Sequence, residues 1–179
     1  MVVVVADVIT KALAVYALFP QRMPHELLGA AVRLTLVYNP GAAFGLHLGA
    51  YSRWIFMALT VGALFILGRL YRATRDRDLL RTLAIGLVCG GAVGNLIDRI
   101  RSSAGVVDFI DVGVGDMRWP TFNVADMAVS VGAFLLAWVL WGDEHADEVG
   151  TPGDEELAKE VAPIQASSVT PVAPVSREI

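Results

Sequence analysis

WIFMALTVGALFILGRLY, residues 54–71, reads as a helix made for a lipid bilayer. Crossing the hydrocarbon core takes about 20 mostly apolar residues, and this run meets its first charge only at Arg69. Residues 124–142 (VADMAVSVGAFLLAWVLWG) fit the same requirement. Residues 82–97 (TLAIGLVCGGAVGNLI) form a shorter, glycine-rich run. Glycine is tolerated in membrane helices, where it lets neighbours approach closely. Residues 1–19 (MVVVVADVITKALAVYALF) are the fourth run, interrupted by Asp7 and Lys11. A cleaved signal peptide would want a basic leading region and an unbroken apolar core, and this run has neither. Asp7 and Lys11 stand four apart, on one helix face, where they can pair and turn inward from lipid. The expected fold is an all-α integral membrane protein, with four transmembrane helices at about 1–19, 54–71, 82–97 and 124–142 in one domain of residues 1–142.

Composition agrees with a membrane protein. The chain is 55% hydrophobic with a mean hydropathy of +0.58, above the usual soluble domain. Residues 1–142 carry 12 Lys/Arg against 9 Asp/Glu, whereas 143–179 carry 2 against 9. The pI near 5.3 therefore describes the tail, and nucleic-acid binding has no support. The tail is rich in Pro, Ser and Val and poor in aromatics, so 143–179 is expected to be disordered or only partly helical. Five arginines (Arg69, Arg72, Arg75, Arg77 and Arg81) crowd the connection between the second and third runs. Basic connections stay cytoplasmic, so both termini are expected inside and connections 20–53 and 98–121 outside. In the first of these, AVRLTLVYN (31–39) alternates and is rich in strand formers. It predicts a short strand, a turn at Asn39–Gly41 and a second strand after it.

Polar residues in such a chain are functional suspects, and here they converge on the outer side. Asn95, Asp98 and Arg99 end the third run, and Asn123 and Asp126 begin the fourth on one face that Ser130 extends. Asn39 and Asp108 stand in the two outer connections. The end of one span and the start of the next are neighbours in a helical hairpin, so these groups can meet. Cys89 lies in an apolar run and reads as packing. His25, His47 and His145 are scattered, with no zinc spacing, and no Ser/His/Asp or Cys/His arrangement stands out. What remains is a pair of carboxylates. Two close carboxylates in low dielectric tend to share one proton. One then activates water while the other donates a proton, a chemistry that needs neither metal nor cofactor.

Four blocks in order, YNPGAAFGL (38–46), GGAVGNLIDR (90–99), GVVDFIDV (105–112) and PTFNVADMAVSVG (120–132), resemble the signature blocks of bacterial lipoprotein signal peptidase (signal peptidase II). DVITK (7–11) matches the D-Q-x-x-K type motif of that family's first helix. The resemblance covers about residues 1–142. It implies an inner-membrane aspartic endopeptidase that cleaves the signal peptide of prolipoproteins, just before a cysteine carrying diacylglycerol. It also implies a small outward-facing β-cradle. By motif, the catalytic pair falls on Asp108 and Asp126, and the supporting polar residues on Asn39, Asn95, Arg99 and Asn123. Asp7 and Lys11 match positions of a more structural kind. The implied partners are the lipid-modified substrate and membrane lipid, with a single chain sufficing for the pair. Three departures stand out: Val8 replaces Gln, Pro40 replaces the usual Thr, and only six residues precede Asp7. The short lead is expected to reflect an internal start codon or a truncation.

Other readings compete. Asp98, beside Arg99, is expected to be an ion-paired helix-end residue. Asp111 and Asp116 are expected to be solvated loop carboxylates. GVGD (113–116) matches the G-x-G-D of presenilin-type proteases, but it falls in a connection, not on a span. Trp54, Trp119, Trp138 and Trp141 read as interfacial anchors. A small proton- or ion-coupled carrier is the alternative function. A carrier would place its acids near the midplane, often within internal repeats, whereas these acids gather at one boundary.

Overall fold

A computed structural model of the chain describes residues 1–41, 49–75 and 77–149. Its contacts form two units, Met1–Ala137 and Trp138–Ile179. The elements in order are α1 (Val2–Ala17), β1 (His25–Leu28), β2 (Val32–Asn39), α2 (Ser52–Ala73), α3 (Leu79–Arg101), β3 (Val106–Val114), β4 (Met117–Arg118) and α4 (Val124–Val149). Among the described residues, three helical stretches are long and apolar enough to cross a membrane: Ser52–Ala73, Leu79–Arg101 and Val124–Asp143. Side chains such as Leu59, Phe65, Ile66 and Phe134 point outward, as lipid-facing positions do. α1, with 16 residues, is the shorter fourth helix. α3 is 23 residues long, well beyond the apolar run 82–97, because its polar ends continue the helix. Its start is capped by Asp78, which accepts from the Arg81 amide. Its last carbonyls receive a cap from α2, where Arg53 donates to Arg99 O and Ile100 O.

The helices pack where α3 lacks side chains. Val3 and Asp7 of α1 lie against Gly90 and Gly94, and Lys11 reaches Asp98. The two helices therefore run parallel, in steps of four residues. Gly91 lies against Ala125 and Val129, and Gly132 against Ala84 and Val88, so α4 runs antiparallel to α3. A Cβ on Gly91 would fall on the backbone carbonyl of Ala125, which cannot swing aside.

The strands form one antiparallel sheet in the order β1-β2-β3-β4. The hydrophobic alternation of β2 puts Leu34, Leu36 and Tyr38 with Val107 and Phe109 of β3, against Ala14 of α1 and Leu18 just after it. This cluster fixes the sheet at one end of the helices. Register pairs Val37 with Asp108 and Asn39 with Val106, which brings the two outer connections together.

Several expectations are corrected. Residues 106–114, read as part of a loop, form the longest strand, because β2 supplies its partner. Asp111 is not solvated. It is 5% exposed and meets Arg33 and Arg118. Burial works to raise its carboxyl, but hydrogen bonds from Arg118, Thr35 and Arg33 hold it below the usual range. Asp116 is exposed in the β3–β4 turn, and GVGD spans the end of β3 and that turn. The strand expected after Gly41 lies mostly outside the described residues, and so does the tail from residue 150. Within the second unit, α4 continues to Val149, so the described start of the tail is helical.

Replacing Gly91 by Ala is expected to destabilise the protein by about 1–3 kcal/mol, read as a lower midpoint of thermal unfolding in detergent micelles. Gly86 faces open space, so Gly86→Ala is expected to leave the midpoint unchanged or slightly higher. Equal midpoints for the two variants would refute the close α3–α4 contact.

Candidate active site

Asp108 sits in the middle of an apolar strand, between Val107 and Phe109, and is 2% exposed. Both of its oxygens are held. Asn39 Nδ2 donates to Oδ2 at 3.1 Å, and Asn123 Nδ2 donates to Oδ1 at 2.7 Å. Asn39 is aimed by its own turn, since its Oδ1 accepts from the Gly41 amide. Burial, and then the neighbouring charge of Asp126, push the Asp108 carboxyl from 3.8 up to about 7, against the hydrogen bonds from Asn39 and Asn123 and the charge of Lys11.

Asp126 lies in the first turn of α4, where the helix dipole favours negative charge. Asn123 and Asp126 form a reciprocal cap. Asn123 Oδ1 accepts from the Asp126 amide at 2.9 Å, and Asp126 Oδ2 accepts from the Asn123 amide at 3.1 Å. The other oxygen, Oδ1, receives Asn95 Nδ2 at 2.8 Å. Asn123 is fully buried and joins both carboxylates, with further bonds to Asn95 Oδ1 and Val107 O.

A second layer lies behind. Lys11 Nζ is 2.8 Å from both Asp7 Oδ2 and Asp98 Oδ2, and it donates to Asn95 Oδ1 at 3.0 Å. Each of these carboxylates also grips backbone. Asp98 accepts from the Val107 amide, one residue before Asp108. Asp7 accepts from the Ala125 amide, one residue before Asp126. Asp98 is thus ion-paired at the helix end, through Lys11 on another helix.

Asp108 and Asp126 line one cavity of about 540 Å³, together with Asn39, Asn95 and Arg99. Arg99 is buried, with its Nη2 donating to Gly41 O at 2.9 Å and its guanidinium 5.7 Å from the Phe56 ring. Its Nε has no hydrogen-bond partner among the described residues. Trp119, Pro120, Phe122 and Met127 add apolar lining to the same cavity. Residues 119–122 were not singled out as site residues by sequence reasoning, which read Trp119 as an anchor. The available signal was WPTF, an aromatic, proline-stiffened run directly before the Asn123 cap. Among the described residues, no group of three or more His, Cys, Asp or Glu could hold a metal ion. Cys89 is partly buried in α3 and is not among the residues lining the cavity.

A family model described as "Signal peptidase (SPase) II" matches residues 1–142. The chain belongs to the signal peptidase II family. It is thus a protease of the signal peptidase II type, and its apolar helices make it a multi-pass membrane protein. A lipoprotein signal peptidase of Burkholderia thailandensis is 41% identical over 140 residues, covering 77% of this chain and 82% of that one. One of Pelotomaculum thermopropionicum is 44% identical over 144 residues, covering 79% and 88%. Among solved structures, a bacterial membrane enzyme determined by the in meso method at 2.3 Å resolution superposes with a TM-score of 0.68. It shares 32% identity, covering 79% of this chain and 84% of that one.

In this signal peptidase II chain the Lys11 ammonium is the shared counter-charge of two buried or half-buried carboxylates. Lys11→Met is expected to lower unfolding stability in micelles by roughly 3–5 kcal/mol, the cost of leaving buried charge unpaired. An unchanged unfolding midpoint would show that the Lys11 contacts carry no weight.

Proposed function

We propose that Asp108 and Asp126 are the catalytic dyad with which this peptidase cleaves the signal peptide from diacylglyceryl-modified prolipoproteins. The observation that carries the reading is that both carboxylates line one cavity while a single buried residue, Asn123, binds both. The microscopic roles follow from surroundings. Asp108 is enclosed by apolar strand residues and keeps the shared proton. Asp126, at a helix N-terminus and partly exposed, carries the charge. Asp126 takes a proton from a water as its oxygen bonds to the scissile carbonyl carbon, and Asp108 donates its proton to the carbonyl oxygen. The tetrahedral intermediate collapses by breaking the C–N bond. The proton held by Asp126 passes to the leaving nitrogen, and Asp108 recovers its own. Arg99 Nε, without a hydrogen-bond partner among the described residues, supplies a donor for a substrate carbonyl or lipid headgroup oxygen at the cavity.

On this reading α1 is a fourth membrane span and the cavity opens near the outer face of a bacterial inner membrane. Support comes from the outward apolar positions of α1, Val5, Ile9 and Leu13, and from exposed Arg69, Arg72, Arg75 and Arg77 at the opposite end of α3 from the site. Both termini and the acidic tail are then cytoplasmic. Both aspartates come from one chain, so a monomer suffices. The carrier alternative is disfavoured by acids that are fixed in hydrogen bonds at one end of the helices.

Asp108→Asn and Asp126→Asn are each expected to lower kcat by at least about 10²–10⁴-fold, measured on a synthetic prolipoprotein peptide bearing a diacylglyceryl cysteine. A variant retaining the wild-type rate would remove that aspartate from the dyad. Wild-type activity is expected to fall as pH rises through about 7, where Asp108 loses its proton.

Stability should move with pH in a defined sense. The Asp108 carboxyl is raised in the folded state above its ordinary 3.8, so the folded state binds more protons between about 4 and 7. Folding stability therefore declines across that window. The unfolding midpoint of Asp108→Asn is expected to gain on that of wild type as pH rises from 4 to 8. A pH-independent difference would contradict the raised carboxyl.

A further inference from the structure

Part of the cavity wall is built from residues 119–122, which belong to neither a helix nor a named strand. Its two ends are pinned to β3. The Trp119 amide donates to Val112 O at 2.9 Å, and the Phe122 amide donates to Ile110 O at 3.0 Å. Between them stands Pro120, which has no amide hydrogen to give. The residue leading into this arch is Arg118, and all three of its guanidinium nitrogens are engaged. Nε donates to Asp111 Oδ1, Nη2 to Asp111 O at 3.0 Å and Nη1 to Ala30 O at 3.0 Å. The Asp111 carboxylate is gripped from the other side by Arg33 Nε at 3.1 Å and Thr35 Oγ1 at 3.0 Å of β2. One buried carboxylate thereby ties the arch to β2 and β3, and Ala30 adds the β1–β2 turn.

We propose that Arg118 and Asp111 are positioning residues for substrate: their clamp sets the Trp119–Phe122 wall, and with it the fit of the substrate's apolar or lipid-bearing part. The proposal rests on the peptidase reading given above. The clamp makes no recorded bond to Asp108 or Asp126, and its groups are not among the residues lining the cavity. It therefore acts on binding and leaves the chemical step alone. The fork geometry matters, because three donors in fixed directions meet a side-chain oxygen and two backbone carbonyls. A lysine keeps the charge and cannot reproduce that pattern. Arg33 shares the same carboxylate without touching the arch.

The test uses the full chain in micelles with the diacylglyceryl-cysteine peptide. Cleavage by wild type and its loss in Asp108→Asn establish the peptidase reading in the same experiment. Asp111→Asn and Arg118→Lys are then expected to raise KM about tenfold, the effect of losing one charge-assisted hydrogen bond, with kcat within about twofold. Arg33→Gln, which loosens the carboxylate from the β2 side, is expected to leave KM within about twofold. Unchanged KM in Asp111→Asn and Arg118→Lys, a fall in kcat alone, or an equal rise in KM for Arg33→Gln would overturn the clamp. Amide exchange at Trp119 gives a readout independent of catalysis. It is expected to quicken in Arg118→Lys, even if the peptide were not cleaved by wild type, and unchanged exchange there also overturns the proposal.

Discussion

A single ammonium group underlies the arrangement of the site. Lys11 Nζ meets Asp7 and Asp98 together, and each of those carboxylates holds the backbone amide that directly precedes one of the two proposed catalytic aspartates. The distance between β3 and the start of α4 is thus set through one cation. Placing these charges among apolar helices is costly. It is tolerated because the partners are mutual: Lys11 has three acceptors, and both carboxylates have an ammonium and an amide. Removing the cation would leave two negative charges with a shared interest in separating.

The glycines of α3 make that contact possible. Gly90, Gly91 and Gly94 face α1 and α4, where a Cβ would strike Val3, the Ala125 carbonyl and the Asp7 carboxylate in turn. Helix association in lipid depends on such close packing, because apolar faces gain nothing by leaving one apolar medium for another. The sheet contributes a different kind of burial. Leu36, Val107 and Phe109 close over the end of α1, and the strand that supplies them also carries Asp108. Its neighbours exclude water and push its carboxyl to about 7. Asn39 and Asn123 satisfy its oxygens, so the group is desolvated without being left unbonded. Buried polar networks are stable when every member is paired, and most of this one is. Among the described residues, Arg99 Nε beside the cavity is a buried donor without a hydrogen-bond partner.

Much of this was legible in the primary structure. Long apolar runs are strong signals, and the helices follow them, lengthened where polar ends such as Arg81 and Asp98–Arg99 continue the same hydrogen-bond ladder. The blocks around Asn39, Asn95, Asp108 and Asn123–Asp126 pointed to residues that do line or support one cavity. The strand 106–114 was missed because its pattern is weak. Val-Val-Asp-Phe-Ile-Asp-Val does not alternate cleanly when both faces are covered, and its partner β2 is some 70 residues away in sequence. Asp111 was misread for the same reason. Its three partners, Arg33, Thr35 and Arg118, lie on other strands, and a carboxylate read alone in a connection looks solvated.

The sequence by itself determined the membrane class and the family, and it singled out the aspartates and asparagines proposed for the site, because hydrophobic length and local motif are properties of consecutive residues. Tertiary structure decided which carboxylates share a counter-charge, which one is dry, and what else lines the cavity. Those are consequences of close approach between segments far apart in the chain. Proton affinity and hydrogen-bond partnership depend on a few ångströms of through-space distance, which spacing along the chain does not encode.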